Sequence, residues 1–594
     1  MSKTHTFHIP VMGIGYTVDT PLKVAQYGIS SVVSLVDDIL VEKMREFYSQ
    51  KFDLPFQGIS NKIEDFRAKR ITAYLDLMDK LVKENLEEVK HSIHEKSSEL
   101  DKYMEMLPDV SSVKAKFKEL TNGNKLKELQ QWVQQNLTAG SIDVNIMTKL
   151  DRENYSNGEQ LPSEYNDAHA ALRGFANSTL NSSVVLSAGM NPRLYSYCES
   201  FEQFYPDANG NFNKKIILKV SDYRSALIQG KIFAKKGLWI SEYRIESGLN
   251  CGGHAFATDG HLLGPILEDF KKNREALRND VYELYANALK AKERYCPEEA
   301  PEMLITAQGG VGTSEEHEFL MDYYNLDSIG WGTPFMLAQD VITIDDDTLQ
   351  QLVDAKEDDL YLSEISPLGV MFNNLRGNSK DIQKENWVKA GTPGSPCTKK
   401  YASINREFTE HSICTASRQY QKLKLEELKN KNLPEAEYKR QFDKIVEKAC
   451  ICVGLGTSAL MKYNLDTKLE GPGVSICPGP NLAYYSKKTN LKEMVDHIYG
   501  RVNLMTRPDR PNLFVKELGI YVNYMKDKVE ELRLAGDEKG LAGFKRFQRN
   551  MDKGIAYYKE LFTEVKAKID GMKENAMEQI EALENELKSI ELKI

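Results

Sequence analysis

Residues 303–335 read MLITAQGGVGTSEEHEFLMDYYNLDSIGWGTPF. The stretch holds a short apolar run, Met303–Ala307, then a glycine-rich turn, a helical segment Ser314–Tyr324, and a second short run, Ser328–Gly332. A strand that feeds a helix and then another strand of the same kind needs a crossover connection, so the two runs are predicted to lie parallel. The same alternation can be followed towards the N-terminus. Strand candidates fall at Phe7–Gly13, Ile29–Val36, Ile142–Met147, Ser183–Ser187, Lys215–Val220 and Leu238–Ile245, with helical candidates at Tyr223–Lys236 and His261–Lys292. Eight such units close naturally into a (β/α)8 barrel, an α/β fold; an open doubly wound sheet is the alternative.

Two regions break the alternation. Between about residues 55 and 138, Ile71, Leu75, Met78, Val82, Leu86, Val89 and Ile93 recur three or four apart, so a large helical insertion is expected there. Beyond residue 380 comes a mostly helical C-terminal extension holding Cys397, Cys414, Cys450, Cys452 and Cys477. The Gly-, Pro- and polar-rich residues 375–400 read as a loop or linker between the two parts. From Leu561 to Ile594 the apolar residues form a heptad-like stripe, suited to packing on another helix of this chain or of a second copy.

Composition narrows the function. The chain has 594 residues, 41% hydrophobic and 28% charged, which excludes general disorder. Its net charge of −9 comes without a basic block, so no nucleic-acid partner is expected. No apolar run is long enough for a bilayer and no secretory signal opens the chain, so the expectation is a cytoplasmic protein with reduced thiols and no membrane partner. The five late cysteines match neither a zinc-ribbon nor a ferredoxin spacing. An iron–sulfur cluster is weighed and set below incidental thiols, and no metal ligands are assigned.

Chemistry is expected where barrels keep it, on the turns after the strands. After the sixth strand stands Glu246-Ser-Gly-Leu-Asn-Cys-Gly252-Gly253-His254, where glycines admit close backbone approach and a histidine can accept a proton. After the seventh and eighth come Gly309-Gly310 and Gly332-Thr333. Turns in those places, with helix N-termini beside them, form phosphate sites in many barrels.

At this level of detail the chain resembles a family. The series PVMGIGYTVDTPLKVAQYG (10–28), VNIM (144–147), ESGLNCGGHAF (246–256), ITAQGGVGTSEE (305–316) and IGWGTPFML (329–337) is similar to the nitronate monooxygenase (2-nitropropane dioxygenase-like) FMN barrels, relatives of flavin-dependent enoyl-ACP reductases. Residues 355–377 also resemble the family's post-barrel stretch. The resemblance implies FMN, with its phosphate at Gly309, Gly310, Gly332 and Thr333 and its ring near Met12, Gly13, Asn145, Gly252 and Gly253. It implies His254 as the catalytic residue, the general base or a substrate-orienting group; as base it would abstract a proton from a small-molecule substrate before electrons pass to FMN and then to oxygen. A second implied activity is enoyl-thioester reduction, with NAD(P)H and an acyl carrier as partners. A non-catalytic flavin-binding scaffold is the reading of another class. The chain departs from the family in reading Asn250-Cys251 where many members have Glu-Ala, and the resemblance stops short of the insertion and of everything after residue 380.

Overall fold

The structure is a computed structural model describing residues 4–94, 98–123, 125–250, 259–564 and 570–593. Eight parallel strands close into a barrel: β1 (Phe7–Ile9), β2 (Ser30–Ser34), β3 (Ile142–Ile146), β4 (Ser182–Leu186), β5 (Lys214–Val220), β6 (Ile240–Glu246), β7 (Leu304–Gln308) and β8 (Ser328–Gly330). Neighbours in space are neighbours in sequence. The ring closes where β1 pairs with β8, Phe7 opposite Ile329. All eight fall on the predicted runs, trimmed by a few residues at their ends. Their residues are almost wholly buried because helices cover the outside and side chains fill the inside.

The insertion occupies the crossover between β2 and β3. Helix α1 (Asp38–Lys51) is capped by Asp37, whose carboxylate accepts the Leu40 N–H at 2.8 Å. The long α2 (Phe66–His91) follows, and Ile71, Leu75, Met78, Val82, Leu86 and Val89 form its buried face, as their spacing requires. It packs on α3 (Asp167–Ala176), where Gly174 lets the backbones meet: a Cβ there would stand 2.8 Å from the Ala68 carbonyl. The helices after β6 and β7 are α4 (Leu263–Ala291) and α5 (Ser314–Tyr323).

After the barrel, β9 (Leu360–Ser363) and β10 (Phe372–Leu375) form an antiparallel pair. The predicted linker at 375–400 is corrected in part: Ser379–Lys389 form a helix, α6. Asn378 caps it, accepting the Asp381 N–H at 2.9 Å, and the glycines and prolines all fall outside its bounds. Beyond lie α7 (Ile451–Lys462), α8 (Leu513–Leu534), α9 (Glu538–Glu564) and α10 (Asp570–Ser589). The apolar stripe of the tail packs within the chain: α10 lies on α8 and α9, with Ile580 and Leu587 fully buried and Lys559 paired to Glu584 at 2.6 Å.

Helix α7 is laid across the barrel mouth. The Gly15 N–H, in the turn after β1, donates to the Leu455 carbonyl at 2.9 Å. A Cβ on Gly15 would stand 2.9 Å from that oxygen and 3.0 Å from the Gly456 Cα, so only glycine permits this approach. No helix among the described residues is long and apolar enough to cross a membrane.

Candidate active site

A cavity of about 270 Å³ opens at the C-terminal end of the barrel. Its walls come from the ends of the strands (Asn145, Lys219, Glu246, Ser247), from Gly13 after β1, and from a roof of Phe372, Ile451, Cys452 and Leu455. This is the end at which parallel-strand barrels gather ligands. The extension therefore does more than follow the barrel: it completes the pocket.

The polar floor is built around one carboxylate. Glu246 Oε1 receives the Lys219 ammonium at 3.1 Å and the side-chain amides of Asn250 and Gln308, each at 2.8 Å. Lys219 and Glu246 are 10% and 8% exposed, so the pair is largely desolvated and each charge depends on the other. Two buried amide oxygens nearby, Asn145 Oδ1 and Gln308 Oε1, have no hydrogen-bond partner among the described residues. A buried polar atom without a partner costs about 1–3 kcal/mol, so its retention calls for an explanation. For Asn145, in the cavity wall, a bound polar ligand supplies one.

Of the sequence-derived candidates, Gly13 and Asn145 stand in the cavity wall. Met12 is fully buried, its N–H donating to Thr17 Oγ1 at 3.3 Å. Gly309 is linked to the cavity through Ser247, whose hydroxyl donates to the Gly309 carbonyl at 3.1 Å. Gly309 and Gly310 have φ of +101° and +92°, and a Cβ on Gly309 would stand 2.8 Å from the Asn250 backbone. Glycine is required there by both conformation and space. Gly332 and Thr333 lead into a short 3-10 turn, Thr333–Leu337, with Thr333 buried. Gly252, Gly253 and His254 lie outside the described residues, as does Cys251.

The turn after β7 has a cover that the sequence did not reveal. Arg510 donates to the Gly310 carbonyl at 2.7 Å and grips Glu316 through two bonds, at 2.8 and 2.9 Å; its side chain is 3% exposed. Asn481 donates to the same carbonyl at 2.6 Å. The Tyr485 hydroxyl donates to the Gly312 carbonyl at 2.5 Å. His497 reaches that carbonyl at 3.0 Å through Nε2, and burial lowers the pKa of its imidazole. Glu316 also accepts the Gly312 and Leu513 N–H groups. Carbonyls, guanidinium and carboxylate thus satisfy one another, and the extension is fastened to the edge of the site.

Glu517, on α8, fastens the other side. It accepts the Leu263 N–H at 2.8 Å and the Tyr558 hydroxyl at 3.3 Å, and it takes a backbone bond from Gly248. It therefore holds both ends of the β6–α4 connection that carries residues 251–258. Burial pushes its carboxyl up to about 7. Neither Lys219, Glu246, Arg510 nor Glu517 was singled out for a site role from the sequence. The first two were legible in principle, as charged residues at strand ends over a barrel mouth. The other two were not, because their partners lie about 200 or more residues away.

The cavity offers what a polar heteroaromatic ring such as a flavin's takes: an unpaired amide oxygen on Asn145 and a Lys219–Glu246 pair among its lining residues, with apolar Phe372, Ile451 and Leu455 above; Gly13 stands in the wall with its Cβ side filled by Tyr16. Among the described residues no group of three or more His, Cys, Asp or Glu is arranged to hold a metal ion.

No family model matches the chain, and no curated protein matches it. Solved structures do. FabK from Thermotoga maritima is similar at 11% identity and TM-score 0.35, over 84% of this chain and 93% of that one. The enoyl reductase domain of MlnA from Bacillus amyloliquefaciens is similar at 13% identity and TM-score 0.32, over 64% and 84%. Nitroalkane oxidase from Streptomyces ansochromogenes is similar at 9% identity and TM-score 0.29, over 64% and 84%.

Proposed function

We propose that this protein is an FMN-dependent oxidoreductase acting on a small molecule in the barrel-mouth cavity, of the nitronate monooxygenase type. The observation that carries the reading is the cavity itself: a roofed pocket at the ligand-binding end of a (β/α)8 barrel, with the unpaired Asn145 oxygen in its wall. The motif resemblance along the same turns supports the flavin, and an enoyl reductase domain and a nitroalkane oxidase stand among the similar structures.

In this reading the backbone around Met12 and Gly13 and the side chain of Asn145 would hold the ring, Asn145 by hydrogen bonding. The motif resemblance assigns Gly252 and Gly253 to the ring as well, and Gly309, Gly310, Gly332 and Thr333 to the phosphate end. FMN supplies the two-electron redox step when bound. Glu246 fixes Lys219 at the floor, so that a cation faces developing negative charge on the substrate or ring. His254 accepts the proton from an acidic C–H, and the α7 roof excludes water from the exchange.

The purified chain should bind FMN tightly enough to turn yellow. A neutral nitroalkane and its nitronate should both bleach it under argon, air should restore the colour, and His254→Ala should stop the bleaching by the neutral nitroalkane, which still has a proton to lose, while the colour stays. A colourless protein in excess FMN would end the reading. Bleaching by NADPH and not by nitronate would replace the monooxygenase type with enoyl-thioester reduction. A yellow protein that nothing bleaches would leave only a flavin-binding scaffold.

A further inference from the structure

Four of the late cysteines, scattered over 56 positions of sequence, meet at one point beside the cavity. Cys397 follows Ser395, whose backbone runs alongside Ser417, so the segments carrying Cys397 and Cys414 are paired. Lys399, fully buried between Asp37 and Glu470 at 2.6 and 2.8 Å, pins the first of those segments to the barrel. Cys397 shares thiol hydrogen bonds with Cys414 and Cys450, and Cys450 with Cys452. All four are buried, and none is joined in a disulfide.

The pair Cys450 and Cys452 is unusual. In a regular helix, residues two apart point to opposite sides and their side chains do not meet. Cys450 is the N-cap of α7, with φ −79° and ψ 70°, and that non-helical backbone swings its sulfur round to 3.9 Å from Cys452 Sγ. To form a disulfide the two sulfurs would close from 3.9 Å to about 2 Å and take up disulfide geometry. Cys450 is also the thiolate-prone member: hydrogen bonds from Cys397 and Cys452, with the Lys380 ammonium nearby, hold its pKa well below the ordinary thiol range. Cys452 lines the cavity. The cluster therefore has one sulfur at the pocket wall and one activated sulfur behind it.

We propose that Cys450 and Cys452 form a redox-active dithiol that exchanges an electron pair with the flavin of the cavity, an inference that rests on the flavin reading above. The dithiol form gives up two protons and two electrons as the S–S bond forms. The oxidised flavin takes the electron pair and a proton, and the second proton leaves to solvent; the reverse transfer reopens the disulfide. Cys397 acts as a positioning residue, donating to the Cys450 thiolate, and Cys414 holds Cys397 in turn.

The test uses the full chain under argon, in both directions. Reduced protein is mixed with one equivalent of oxidised FMN, and diamide-oxidised protein with one equivalent of reduced FMN. In the direction that the potentials favour, the flavin's visible absorbance should change by at least about half. A Cys450–Cys452 cross-linked peptide should appear or vanish in step, and Cys450→Ser should abolish both changes. Flavin that binds but alters in neither mixture, with thiols intact, would overturn the proposal and leave the flavin reading standing. If FMN does not bind at all, the flavin reading fails separately. A diamide-formed Cys450–Cys452 link would then preserve the dithiol without its partner, and absence of that link would overturn it. Stoichiometric zinc or iron in the protein as purified, with these thiols unreactive, would also overturn it and assign the cluster to a metal.

Discussion

Glu246 Oε1 collects three donors in a largely desolvated floor, so the energetics of the site concentrate in one atom. Glu246→Ala should cost about 3–5 kcal/mol in denaturant unfolding, because it strands the Lys219 charge. Adding Lys219→Met should recover most of that loss, since an apolar isostere removes the unpaired ion. Glu517 gives a pH signature. Its folded pKa of about 7 lies above the ordinary 4.5, so its stabilising contribution is complete below about pH 4.5 and is lost as pH rises through 7. The loss amounts to about 3 kcal/mol. Glu517→Gln should remove this slope, so the melting temperature of the variant should gain on the parent's between pH 5 and 8. An unchanged difference across that range would refute the assignment.

The strands were readable as elements because each is a short β-branched run, buried on both faces, between turns and helices. The α2 face was readable for the complementary reason, its three-and-four spacing. Helix α6 was not, since Ser379–Lys389 has hardly any apolar face to mark it and breaker residues lie on either side. Nor was the role of α7. It is hydrophobic all round, which shows that it is buried but not that it roofs a cavity. Likewise the candidate glycines were visible as turns, whereas the meeting of Cys397, Cys414, Cys450 and Cys452 depends on tertiary contacts that spacing does not encode. The approach of α7 to the turn after β1 makes a sharp prediction. Gly15→Ala places a methyl against backbone that cannot yield, so it should cost about 1–3 kcal/mol and weaken FMN binding together with stability. Thermal melts with and without FMN would check it.

At the scale of the whole molecule, barrel and extension share one hydrophobic core. A chain ending at residue 380 would lose Arg510 from beside Glu316 and the roof from the cavity. It should therefore be recovered as aggregate, or as an expanded species that binds a hydrophobic dye, with size-exclusion chromatography as the readout. A compact, monomeric fragment would show that the barrel stands alone.

The ring closure between Phe7 and Ile329 carries a consequence for biosynthesis. On the ribosome the first strand must wait, one edge unclaimed, until more than three hundred further residues have emerged, and the open mouth then stays uncovered until the segment around Leu455 arrives. Newly made copies are thus most vulnerable to sticking together midway through translation, and a chaperone that shields sheet edges should raise the yield more than any adjustment of the finished protein's surface.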